Sequence, residues 1–226
     1  MNSVFRVEQQ VYETVWDAQI HVLSVAGLAC ERGERRLFAA LDFELSMGEV
    51  LLVSGSNGHG KTSLLRILSG LSVPAAGEVR WCGMPIRALR ERYGQAMVYL
   101  GHADGIKADL TPLENLRLAA ALRGRTLGDA AALRALDRVA LTRCVDLPAR
   151  VLSFGQRRRV ALAALALADA SLWILDEPLA GLDAQGIVMV EGLLDAHLTQ
   201  GGLAVVSTHQ ALALGACVPR TLRVGS

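Results

Sequence analysis

The chain of 226 residues is poor in aromatic rings, has almost no lysine and carries almost no net charge. Aromatic residues make up only 4% of it, which leaves little material for the base-stacking platforms of single-strand nucleic-acid binders. The 23 basic side chains against 22 acidic ones give a formal charge of +1, so no broad positive field exists to attract a polyanion. Nucleic acid is therefore not an expected partner. The cysteines, Cys30, Cys82, Cys144 and Cys217, form no CxxC unit. That excludes the usual zinc and covalent-haem spacings and suits reduced, mostly buried thiols. No apolar run like a signal-peptide core lies near Met1. Residues 196–219 contain no Asp, Glu, Lys or Arg, but Gln200, Gly201, Gly202, Ser207, Thr208, His209 and Gln210 interrupt them. A bilayer span must be almost wholly apolar, so this stretch reads as helix, turn and buried strand in a soluble chain.

Hydrophobic residues make up 52% of the chain, enough for one well-filled domain without disulfides or metal. Short apolar runs at 50–53, 98–100, 172–175 and 203–206 are bounded by Gly, Ser or Asp and alternate with amphipathic stretches. Continuously apolar strands are covered on both faces, which predicts an α/β fold with a parallel sheet. Over 104–150 the texture changes to Ala, Leu and Arg, the composition of a helical insert. Thr111, Pro112 and Glu114 supply an N-cap, a first-turn proline and a capping-box glutamate for a helix running to Leu122. A second helix over about 128–141 would place Leu133, Leu136, Val139 and Ala140 on one face. Arg87, Arg90, Arg92, Arg123 and Arg125 read as a solvated basic face, or as contacts for acidic loops of a partner. The expected organisation is an N-terminal extension of no assigned role, 1–22, and a single domain, 23–226, with a helical subdomain at about 103–151.

After the run at 50–53 come Gly55, Ser56, Asn57, Gly58, His59, Gly60, Lys61 and Thr62, then Ser63 and a helix. This satisfies GxxxxGK[ST] in the strand–loop–helix order the motif requires. Such a loop turns backbone amides toward phosphate, the helix N-terminus adds its dipole, Lys61 adds a charge, and the Thr62 hydroxyl holds Mg2+. The chain has 21 arginines and only two lysines, Lys61 and Lys107, so lysine is kept at the phosphate position in a sequence that otherwise uses arginine. The apolar run at 172–175 ends in Asp176 and Glu177. Two acids after a strand can cap a helix, but Pro178 follows and a phosphate loop lies upstream. Asp176 is then the candidate Mg2+ ligand and Glu177 the group that polarises the attacking water.

Between these segments lie Leu152, Ser153, Phe154, Gly155 and Gln156, followed by three arginines and an Ala/Leu helix. Ser153 and Gln156 have capping-box spacing. With this segment as a signature motif in place, the chain resembles the ATP-binding-cassette (ABC) ATPases over about residues 23–215. The resemblance implies a phosphate-loop ATPase core with a parallel sheet, a small helical subdomain and an antiparallel β portion. It implies ATP and Mg2+ as cofactors and a head-to-tail homodimer. In such a dimer Ser153, Gly155 and Gln156 of one copy would close on ATP held by the other, and Asp183 would lie in the loop after the paired acids. His209, after the run at 203–206, matches the histidine that senses the γ phosphate. His102 stands where the family usually has a glutamine, Phe154 replaces the first signature glycine, and Arg32 falls at the position of the adenine-stacking aromatic.

The run Tyr99, Leu100, Gly101, His102, with Gly105, Ile106, Lys107 and then 110–116, resembles the haem-exporter ATPases of bacterial cytochrome c maturation. That implies a place at the cytoplasmic face of the inner membrane, beside a CcmB-like permease and a CcmC-like haem-handling protein. Another half-size exporter ATPase, for a drug, lipid or metal, is the alternative, followed by a non-transport ABC protein.

Overall fold

The computed structural model describes residues 22–225, so the extension at 1–22 lies, apart from Val22, outside the described residues. In chain order the strands are β1 (Val22–Arg32), β2 (Arg35–Ser46), β3 (Val50–Ser54), β4 (Ala76–Trp81), β5 (Met84–Pro85), β6 (Met97–Leu100), β7 (Leu172–Asp176), β8 (Leu203–Ser207) and β9 (Arg220–Arg223). The helices are α1 (Lys61–Leu68), α2 (Ile86–Leu89), α3 (Glu91–Ala96), α4 (Pro112–Leu122), α5 (Asp129–Arg138), α6 (Phe154–Ala166) and α7 (Ala184–Thr199).

All four apolar runs are strands of one parallel sheet, ordered β6-β7-β8-β3-β9. Side chains of a strand alternate between faces, and here both faces are dry. Val53, Ile174 and Val205 join the core shared with α1 and the other sheet, which contains Leu23, Leu45, Leu64 and Trp81. Val50, Leu175 and Val206 join a second core against α6 and α7, with Leu162, Val190, Leu194 and Leu198. The other sheet is antiparallel, with order β2-β1-β4-β5.

A third apolar cluster joins Leu116 of α4, Ala132, Ala135 and Leu136 of α5, and Val160 and Ala163 of α6. The first of these helices begins where the sequence placed it, with Thr111 and Glu114 forming both bonds of a capping box. For α5 the expected face is corrected. Leu136 and Val139 are buried as expected, but Leu133 is 42% exposed and Ala140 is exposed, and Ala132 and Ala135 complete the inner face. Small side chains there let α5 approach its neighbours closely. Of the residues read as a solvated basic face, Arg125 is exposed, whereas Arg123 is half-buried against the chain. Arg123 donates to the carbonyls of Gln95 at 2.6 Å and Met97 at 3.1 Å, and Arg125 pairs with Asp169 at 3.0 Å. No cysteine is joined to another, and Cys30 is buried while the other three are half-buried.

Candidate active site

Parallel strands send whatever follows them to the same edge of the sheet, the usual place for a ligand in such folds. Here β3 leads into the phosphate loop, β6 into Gly101 and His102, β7 ends on Asp176 before Glu177, and β8 leads into Thr208 and His209. A cleft of about 840 Å3 results, walled by Ser56, Asn57, Gly58, Gly60, Lys61, Thr62 and Ser63 on one side and by Asp176, Glu177, His102 and His209 on another. Arg32, Arg35 and Leu37 of the antiparallel hairpin close it.

The loop's path requires glycine at two points. Gly55 has φ +141° and a Cβ there would lie 2.3 Å from the Val224 carbonyl oxygen; Gly60 has φ +100° and abuts Leu37 and Phe38. Helix α1 then starts without a side-chain cap or an acid in its first turn. The helices α4, α6 and α7 are instead capped by Thr111, Ser153 and Asp183. The first N–H groups of α1 and its positive dipole end are thus left for an anion.

Lys61 is buried, and its Nζ donates to the Gly55 carbonyl at 2.7 Å and lies 3.4 Å from Asn57 Oδ1 and 3.2 Å from His209 Nε2. The same imidazole nitrogen is 3.1 Å from Asn57 Oδ1 and 3.4 Å from Glu177 Oε1. An ammonium only donates, so a bond from Lys61 requires Nε2 without hydrogen, whereas a bond to Glu177 requires Nε2–H. His209 can therefore serve Lys61 or Glu177, one at a time. Asp176 is 2% exposed, and its Oδ1 accepts from Ser207 Oγ at 2.6 Å. Its Oδ2 is buried without a hydrogen-bond partner. An orphaned carboxylate oxygen facing a phosphate loop fits a hard cation, and a single carboxylate with the Thr62 hydroxyl fits Mg2+, which keeps its remaining positions for water and phosphate.

Several expected site residues lie away from these walls. His59 is turned from the cleft, its ring against Gly225. Ser153 and Gln156 form a complete capping box at the start of α6, and Gly155 abuts the Gly181 carbonyl. The Phe154 ring, 46% exposed, covers Gly181. Asp183 caps α7 through the Gly186 N–H at 2.9 Å and pairs with Arg159 at 2.7 Å; the Gly186 bond first, and then Arg159, holds its carboxyl below the usual range. Ser207, Arg35 and Arg158 went unnoticed in the sequence. Arg158 was the most legible, because helical spacing from Leu162 and Leu165 puts it on the inward face of α6.

A glycine loop at a strand–helix junction, facing two carboxylates at the end of a neighbouring strand, is the arrangement of a phosphate-loop nucleoside triphosphatase. The chain belongs to the ABC transporter family, which residues 38–180 match. It is 54% identical over 190 residues, 84% of its length and 92% of the relative's, to the cytochrome c biogenesis ATP-binding export protein CcmA of Methylococcus capsulatus. The protein of the same description from Nitrosomonas europaea is 48% identical over 201 residues, 89% of this chain and 94% of that one. An ATP-binding protein of an ABC transporter from Pyrococcus furiosus has the same fold, with a TM-score of 0.78 over 89% of this chain and 96% of that one at 23% identity.

Proposed function

We propose that this chain is the ATP-hydrolysing subunit of a membrane export complex in cytochrome c biogenesis, where its turnover drives haem export or release of a haem chaperone. The pathway is supported by relatives about half identical over almost their whole length. The chemistry is supported by one observation above all, the convergence of Lys61, His209 and Glu177 about a single imidazole nitrogen.

ATP enters with its β and γ phosphates against the amides of the loop and the start of α1, and it offers Lys61 a stronger acceptor than the Gly55 carbonyl. His209 Nε2, released from Lys61, can then carry hydrogen and face Glu177 and the γ phosphate. Thr62 and Asp176 would hold Mg2+, which supplies charge neutralisation for the phosphates. The Glu177 carboxylate takes a proton from water as the water oxygen bonds to the γ phosphorus, and the bond to the β–γ bridging oxygen breaks to leave ADP. Arg32 lies beside the adenine, and His102 borders the water. Ser153, Gly155, Gln156 and Asp183 act on the nucleotide of a second copy, packed head to tail. Their place outside their own cleft supports this.

Among the described residues no helix is long and apolar enough to cross a membrane. The relatives' description as ATP-binding export proteins supports a place at the cytoplasmic face of the inner membrane, on a CcmB-like permease with a CcmC-like protein beside it. The test is recovery of tagged Glu177→Gln protein from solubilised membranes with ATP, followed by mass spectrometry and a visible absorption scan. A permease with haem-absorbing partners is expected. An unrelated permease would discard the haem pathway and leave the ATPase chemistry standing.

A further inference from the structure

Arg158, in the second turn of α6, is 1% exposed, on a helix whose other buried residues are all apolar: Val160, Ala161, Leu162, Ala163 and Leu165. A buried guanidinium needs acceptors, and this one finds four, all of them backbone carbonyls. Its Nη2 donates to Asp176 at 2.9 Å and Glu177 at 2.8 Å, its Nε to Pro178 at 3.3 Å and its Nη1 to Gly101 at 3.0 Å. The first three lie at and just beyond the end of β7, and the fourth belongs to the peptide that precedes His102.

Glu177 itself has φ +49°, in the left-handed region that a residue with a side chain rarely occupies. Such a conformation persists only where its surroundings hold it. The Glu177 N–H is held by the Ser207 carbonyl at 3.1 Å and by Ser207 Oγ at 3.0 Å, and the Glu177 carbonyl is held by Arg158. Both peptide groups flanking the Glu177 Cα are therefore fixed, and with them the direction in which the carboxylate leaves the backbone.

Resting on Glu177 as the base of the reaction proposed above, we propose that Arg158 is a positioning residue that locks the Glu177 backbone in its left-handed conformation and so aims the carboxylate at the water. None of the guanidinium's four hydrogen bonds goes to the phosphate loop. The phosphates are met by Lys61 and the start of α1, whereas Arg158 holds the backbone of the strand end that carries the acids. Because Arg158 rides on the helix whose first turn carries Ser153 and Gly155, a shift of that helix would reach Glu177 through the same four bonds.

The test is steady-state ATPase kinetics of the full chain in its membrane complex, with binding of a fluorescent ATP analogue and thermal unfolding measured on the same preparations. Arg158→Met, which keeps the alkyl length, is expected to lose kcat by about 100-fold, the scale of a misplaced catalytic group, with analogue affinity and KM within about 2-fold of the parent. Arg158→Lys, with three donors, is expected to recover part of that loss. A folded Arg158→Met protein with parental kcat would overturn the proposal, as would a loss confined to nucleotide affinity or a lysine variant no better than methionine. If Arg158→Met does not fold, Arg158→Lys and Arg158→Gln carry the test. A kcat order of Arg, Lys, Gln at equal affinity is expected, and equal kcat overturns the idea. Glu177→Gln run in parallel separates the two readings: its turnover, if retained, discards Glu177 as base whatever the Arg158 variants do.

Discussion

The hydroxyl of Ser207 donates to Asp176 Oδ1 at 2.6 Å, joining the ends of two adjacent parallel strands at a register pair. The same oxygen accepts the N–H of Glu177 at 3.0 Å. One fully buried hydroxyl thus orients the candidate cation ligand and the candidate base together.

Ser207→Ala should accordingly harm both stability and turnover. Leaving a buried carboxylate oxygen without its donor costs about 2 kcal/mol, or a fall in Tm of about 4–8 °C for a domain of this size. Thermal unfolding checks the first effect and the Mg2+ dependence of ATPase activity the second. An alanine variant with unchanged Tm and unchanged Mg2+ requirement would remove Ser207 from the site.

The two ends of the cleft should separate binding from chemistry. Lys61→Ala is expected to abolish ATP binding, because the ammonium is the one cation seated inside the loop. Glu177→Gln keeps the shape but not the proton acceptor. It should bind ATP normally and lose turnover by about 100-fold or more. Titration with an ATP analogue and phosphate release distinguish the two, and near-normal release from Glu177→Gln would contradict its role.

Arg32 and Arg35 are register partners at the tip of the β1–β2 hairpin and both wall the cleft. The neighbouring pair, Glu31 and Arg36, is joined at 3.4 Å. By contrast, neither Arg32 nor Arg35 has a hydrogen-bond or ion-pair partner among the described residues. Like charges placed directly opposite are unfavourable unless an anion or a ring lies with them. Arg32→Ala and Arg35→Ala should each weaken ATP affinity by about 3–10-fold through lost stacking and charge. Equal affinities of both variants and the parent, by titration, would discard the hairpin as a nucleotide wall.

His197 supplies a pH dependence unrelated to catalysis. Burial pushes its imidazole down to about 4, against hydrogen bonds to the Leu203 and Ser171 carbonyls, and the ring stacks on Trp173 with centroids 4.0 Å apart. The unfolded chain takes up this proton near pH 6.5, where the folded chain does not. Its contribution to stability is therefore complete above about pH 6.5 and shrinks as pH falls toward about 4. Urea midpoints should drop over that window in the parent and drop less in His197→Gln. Parallel curves for the two proteins would remove this residue as the source.

Particular elements explain what was legible beforehand. The four core strands could be read because continuous apolarity bounded by Gly, Ser and Asp is a local pattern, and the caps at Thr111 and Ser153 are local as well. The β1–β2 pairing was harder, since register shifts between Val25 and Leu28 and again at Cys30 break the two-residue alternation that marks a strand. The face of α5 was read in part: Leu136 and Val139 are in the contact, but Ala132 and Ala135 complete it where Leu133 and Ala140 were expected.

By itself the sequence determined that a phosphate loop opens a helix, that two acids end a strand, and that a family signature lies between them. Each of these is a run of neighbouring residues whose chemistry depends on spacing alone. Only the tertiary structure decided that Lys61, Asp176, Glu177, Ser207 and His209 share one sheet edge, and that Arg158 reaches across to brace the acids. Those relations join residues 18 to 148 positions apart in the chain. They are set by strand order and register, which depend on burying both faces of the parallel sheet at once.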